Sequence, residues 1–201
     1  MQLKISAASL MFAVSVAWAE PPVVPIATQI PGLGPTSPIY TFTDEDGNAV
    51  TPKTWVGKPA IFAAAYTTCP TTCSFTFKNL KKLQSVLPKN ASATPVFVVS
   101  IDPEHDTPAV LKAFKAKEKV DWHFLTGNEN VTRKFLENFN ISFGQKSVAD
   151  NHIMHPNAIV LLNAEGKPVA DASGVSPDFK KILAFFEPPK PRQPRAPRPK
   201  K

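Results

Sequence analysis

Cys69 and Cys73 are the only two cysteines in a chain of 201 residues, and they stand four positions apart. Two thiols with no other partner can form a disulfide with each other, hold one soft metal ion between them, or serve as small buried residues. Their neighbourhood favours reactivity. The apolar run Pro59–Tyr66 reads as a buried strand, while Phe77, Leu80, Leu83 and Leu87 recur at helical spacing within Phe75–Leu87. The pair therefore falls where a strand gives way to a helix, and one helical turn of spacing puts both sulfurs on one face. Unpaired amides and the positive end of the helix dipole favour thiolate over thiol at such a place. A plain structural disulfide in an exported protein is the competing reading.

Other elements must bring further groups to that pair. Tyr40–Thr43 and Ala49–Val50, joined through Asp46-Gly47, suggest a short opening hairpin. Pro95–Ile101 is a second buried strand. Asp106-Thr107-Pro108 opens a helix that runs to about Lys119, with a capping side chain and proline in its first turn. A short strand at Trp122–Leu125 and a helix at Glu129–Asn138 come next. Asn157–Leu162 and Pro168–Ala172 form a hairpin turning at Glu165-Gly166, and Ser176-Pro177 opens a last helix ending near Phe186. Strand, cysteine helix, strand, helix, hairpin and closing helix is the order of an α/β domain with a thioredoxin-like fold. Right-handed crossovers then make the first two buried strands parallel neighbours in a central mixed sheet with helices on both faces. The strand and helix between Trp122 and Asn140 are expected as an insertion in that plan.

Three residues separate the cysteines, where a thioredoxin-type disulfide exchanger has two; that wider spacing also suits a soft cation held between thiolates, with imidazole as the natural third ligand. Four histidines are available. His155 precedes the strand at Ala158–Leu162, and in a thioredoxin-like layout the loop entering that strand faces the cysteines, so His155 is the first choice. His152 is the reserve. His105 follows the second buried strand on the same sheet edge, and His123, inside a short strand beside Trp122, reads as structural or surface. Met154 offers a thioether beside His155 but reads as packing next to Ile153.

The first residues supply Lys4, an apolar stretch from Ile5 to Trp18, and Ala17-Trp18-Ala19 before Glu20, the pattern of a secretory signal cleaved after Ala19. The stretch is short of the roughly 20 residues that cross a bilayer. What remains suffices for one domain, residues 39–187, behind a flexible Pro/Gly leader over 20–38. The formal charge of +7 comes from Lys4 and six cations in the proline-rich tail over 188–201 (Lys190, Arg192, Arg195, Arg198, Lys200, Lys201). The domain itself is neutral, which argues against nucleic acid as a partner. The tail is expected to be disordered, with membrane contact at most peripheral.

Three separated segments carry a family resemblance: Tyr66-Thr67-Thr68-Cys69-Pro70-Thr71-Thr72-Cys73, Val99-Ser100-Ile101-Asp102-Pro103-Glu104-His105-Asp106-Thr107-Pro108, and His155 eleven residues before Gly166. In this order, within about Ile39–Phe186, they resemble the signature of the Sco (SenC) family of copper-binding proteins for cytochrome c oxidase assembly. The resemblance implies a thioredoxin-like domain with copper, as Cu(I) or Cu(II), held by Cys69, Cys73 and His155. Asp102 matches the aspartate of the family's second motif, and Asp102 and Glu104 are candidates for orienting His155 or docking a partner. The chain departs from the family pattern at Ser74, in place of proline, and at Met154, in place of aspartate; Pro156 also follows His155, with a cis bond as one option. By resemblance the protein is a periplasmic copper chaperone whose partners are the copper-bearing subunit of an oxidase and a periplasmic copper donor or thiol reductant. The alternative the resemblance allows is a thiol–disulfide reductase that keeps the oxidase cysteines reduced, with Cys69 and Cys73 as the redox pair. A peroxidase would need one activated cysteine in a different setting.

Overall fold

The computed structural model describes residues 34, 36, 37, 39–69 and 72–188. The expected signal at 1–19 with its cut after Ala19, nearly all of the leader, and the tail beyond Pro188 lie outside the described residues. No helix among the described residues is long and apolar enough to cross a membrane.

Strand β1 (Phe42–Asp44) and β2 (Ala49–Val50) form the opening hairpin, β3 (Ala60–Ala65) is the strand before the cysteines, and α1 (Thr72–Val86) is the cysteine helix. Then follow β4 (Val96–Ser100), α2 (Pro108–Glu118), β5 (His123–Thr126), α3 (Glu129–Glu137), β6 (Ala158–Leu162), β7 (Pro168–Ser173) and α4 (Lys180–Phe186). They build one mixed sheet in the order β2-β1-β5-β4-β3-β6-β7. β3, β4 and β6 are buried at every position, as the continuous apolar runs require of strands covered on both faces. β3 and β4 are parallel neighbours, with Ala65 opposite Ser100, and β6 runs antiparallel on the other side of β3, with Ile159 opposite Ala63. The thioredoxin-like plan stands, with one change of emphasis. β5 lies inside the sheet, parallel to β4 and antiparallel to β1, so the expected insertion is the piece that ties the opening hairpin to the rest.

Alternation along the strands sends the large side chains to two cores. On one face Phe62 stacks on Phe97 at 4.9 Å between ring centroids, and Phe135 of α3 meets Phe62, Trp55, Phe42 and Tyr40 at 5.1–5.6 Å. On the other, Phe77 of α1 packs against Phe114 of α2 and Phe124 of β5. The small residues of β3 let α1 lie close.

Local chemistry sets the element ends. Thr107 caps α2, its Oγ1 accepting from the Val110 N–H at 3.4 Å, and Pro108 takes the first helical position. α4 begins at Lys180, four residues after Ser176, because the Asp178 carboxylate takes the Lys180 N–H at 2.9 Å. The β6–β7 turn uses Gly166 at φ +71°, where a Cβ would lie 2.5 Å from the Thr36 methyl. No peptide bond among the described residues is cis, so His155-Pro156 is trans.

Phe135 is fully buried and its ring contacts reach five aromatic neighbours, so Phe135→Ala is expected to cost about 3–5 kcal/mol in chemical denaturation. A loss under about 1 kcal/mol would contradict this account of the core.

Candidate metal centre

The register around β3 decides what meets the cysteines. The chain leaves β3 at Tyr66, leaves β4 at Ile101 and enters β6 at Ala158, all at the same sheet end. Cys69 lies in the loop after β3 and is half-buried, while Cys73 is within the first turn of α1 and buried. His155 lies in the segment before β6.

One ligand atom each from Cys69, Cys73 and His155 fall within 4.8 Å of one another, the only gathering of three or more such groups among the described residues. His155 Nε2 is 3.3 Å from the Cys73 sulfur. Its Nδ1 lies 3.1 Å from the Pro156 carbonyl, which can only accept. That bond places the ring proton on Nδ1 and turns the Nε2 lone pair toward the sulfurs. The Cys73 N–H donates to the Cys69 sulfur at 3.2 Å, and the Tyr66 N–H to the Cys73 sulfur at 3.4 Å.

The Cys73 N–H, in the first turn of α1, thus serves Cys69, whereas the amide at the Cys73 sulfur comes from the end of β3. A hydrogen bond with the Cys69 side chain and burial push the Cys73 thiol well above the ordinary cysteine range, against the Tyr66 N–H, which acts to lower it. The helix-start setting expected to favour thiolate is thus opposed at Cys73, whose proton a soft cation would have to displace.

The remaining histidines stay outside the cluster. His152 is half-buried, its N–H donating to Asp150 and its carbonyl accepting from the Ser147 N–H. His105 points its Nδ1 at Asp106, 3.1 Å away, and Thr67, 3.3 Å away. His123 is exposed and stacks on Phe97 at 5.1 Å. Met154, expected as packing, is 71% exposed, since the buried member of that pair is Ile153.

Residues 144–154 fold back as a narrow arm that delivers His155. The Gly144 N–H donates to the Met154 carbonyl and the Ser147 N–H to that of His152, with Lys146 and Ile153 bridged between. Arg133 anchors its base by donating to the Phe143 and Gly144 carbonyls. Asp102, buried, does not reach His155; it pairs with Lys146 on the arm at 2.7 Å. Glu104 is exposed. On the far side, Thr76 of α1 hydrogen-bonds Asn157, so helix and His155 segment are joined directly.

Asp106 does more than open a helix. Fully buried, its carboxylate accepts from Thr67 Oγ1 at 2.5 Å, the Thr67 N–H at 3.1 Å and Ser100 Oγ at 2.6 Å, fastening the cysteine loop to the end of β4. One signal pointed this way: Asp106-Thr107 offers two successive caps where a helix needs one.

With that geometry in view, the SCO1/SenC family model matches residues 30–183. The chain belongs to the SCO1/SenC family. A SCO1 protein homolog of Bacillus subtilis is 28% identical over 141 residues, which cover 68% of this chain and 72% of the relative. Among solved structures, BsSco, described as a Sco-family cytochrome c oxidase assembly protein with a disulfide switch, is 26% identical with a TM-score of 0.62, over 73% of this chain and 88% of its own. ScoI of Bradyrhizobium japonicum, solved with copper bound, shares the fold at 24% identity and a TM-score of 0.59, over 73% and 94%. The thioredoxin-like fold read from the element order is therefore that of the family.

Asp106→Ala strands Ser100 and Thr67 donors in a buried place, and a loss of about 2–4 kcal/mol is expected in urea titration. Stability within about 0.5 kcal/mol of the parent would show that the carboxylate does not fasten the loop.

Proposed function

We propose that this chain is an exported copper carrier: it binds one copper ion through Cys69, Cys73 and His155 and passes it to the copper site of a respiratory cytochrome oxidase. The observation that carries the reading is the convergence within 4.8 Å of two sulfurs and one imidazole, the imidazole coming from a position at least 82 residues from either sulfur. The donor chemistry fits the cargo. Thiolates select Cu(I), and the imidazole, held with its Nε2 lone pair toward them, lets the same site take Cu(II). Two thiolates balance Cu(II) and leave one negative charge over with Cu(I), a difference the Tyr66 and Cys73 N–H groups at the sulfurs help to carry. The oxidase-assembly role attributed to BsSco supports the choice of recipient. In the same reading residues 1–19 are removed on export to the periplasm, 20–38 form a leader, 39–187 carry the copper, and 188–201 are a basic tail.

A second reading is favoured by one observation, the half-buried Cys69 sulfur taking the Cys73 N–H across a single turn. It makes the protein a reductase: the Cys69–Cys73 dithiol gives two electrons and two protons to a disulfide in the oxidase subunit and is itself left as the disulfide. Copper carriage and reduction separate at His155, which only the first needs.

The reduced protein is expected to take up one copper ion per chain and, as Cu(II), to show a sulfur-to-copper charge-transfer band. Because losing a group that merely supports a ligand costs roughly 10–100-fold in metal affinity, His155→Ala is expected to lose at least about 100-fold while its thiols still oxidise. Equal affinity in that variant would leave the reductase. Oxidation to the Cys69–Cys73 disulfide is expected to abolish uptake and dithiothreitol to restore it, read by bound copper after desalting. Uptake by the oxidised protein would put the site elsewhere.

A further inference from the structure

Tyr66 is the last residue before the cysteine loop and is buried, with 2% of its surface exposed. A phenol taken from water costs stability unless its hydroxyl finds partners, and any nearby carbonyl would serve a merely structural tyrosine. The partners here are of another kind. The hydroxyl oxygen accepts the Ile153 N–H at 3.0 Å, on the arm two residues before His155. The ring meets the His155 imidazole edge to face, with centroids 5.9 Å apart. Finally, the backbone N–H of Tyr66 points at the Cys73 sulfur. A single residue thus meets Cys73 and His155 and also holds the arm.

We propose that Tyr66 is a positioning residue for the metal centre: its phenol oxygen takes the Ile153 amide, its ring packs against His155 and its own N–H meets the Cys73 sulfur, so that the start of the cysteine loop and the arm donor are held at a fixed separation. The proposal rests on the copper reading given above but concerns this chain's own geometry. The bridge works without the ion: it ties the cysteine loop to the arm in the reduced protein and keeps His155 over the sulfurs before any cargo arrives. Asp102–Lys146 and Thr76–Asn157 hold the arm and the following segment from outside, whereas the phenol does so from within the donor set.

Tyr66→Phe keeps the ring and the backbone N–H and removes only the hydroxyl, so it separates the bridge from packing. In the reduced, metal-free protein, hydrogen exchange at Ile153 is expected to quicken roughly tenfold, the scale of one lost hydrogen bond, while exchange in β4 stays as it was. Should Tyr66→Phe fail to fold, 3-fluorotyrosine gives the second arm, reaching only Tyr40 and Tyr66, the chain's two tyrosines. Its less basic phenol oxygen accepts more weakly, and Ile153 exchange is expected to quicken there as well. A folded Tyr66→Phe with unchanged Ile153 exchange would overturn the proposal, and so would Ile153 exchange that ignores fluorination. A parent protein that takes up no copper would instead sink the copper reading, while the Ile153 exchange still decides the bridge.

Discussion

The structure depends on the double pairing of β3. Parallel to β4 on one side and antiparallel to β6 on the other, it fixes that the exit from β3, the exit from β4 and the approach to β6 share one end of the sheet. Each of those three segments carries chemistry: the cysteines after β3, Asp102 and Asp106 after β4, His155 before β6. A register shift of one residue in β6 would send its buried side chains to the opposite faces, so the same apolar packing that stabilises the sheet also holds His155 in place.

Around that end the polar groups form a fastening rather than a second set of ligands. Asp106 ties Thr67 to Ser100, so the cysteine loop cannot drift from β4. Asp102 and Lys146 tie the same β4 exit to the arm, and Arg133 holds the arm's base against α3. Both carboxylates are buried and both are hydrogen-bonded, as a buried polar group must be to avoid a large desolvation cost. The half-buried Cys69 sulfur remains the accessible member of the donor set, with Cys73 buried behind it.

Much of this was legible in the chain. Continuous apolar runs marked β3, β4 and β6, Thr107-Pro108 marked α2, and the three spaced motifs named Cys69, Cys73 and His155 before any coordinates. Legibility ended where the physics is long-range. The Cys73 thiol is pushed up by the Cys69 hydrogen bond and by burial, against the Tyr66 N–H, a balance that spacing cannot weigh. Asp106 passes for a cap until Thr67 and Ser100 are seen to converge on it, and Met154 passes for packing until Ile153 takes the buried side. α4 starts late because a carboxylate two residues past Ser176 takes its first N–H. The place of β5 inside the sheet followed from pairing with β1, which pattern alone does not reveal.

The central claim is that two sulfurs and one distant imidazole bind a single copper ion. X-ray absorption on the reduced, copper-loaded protein tests it most directly, since sulfur and imidazole scatter differently around the metal. The account predicts a shell of two sulfurs with one imidazole, and loss of the imidazole scattering alone in His155→Ala. A shell of two sulfurs without imidazole in the parent protein, or imidazole scattering that survives in the variant, would contradict it.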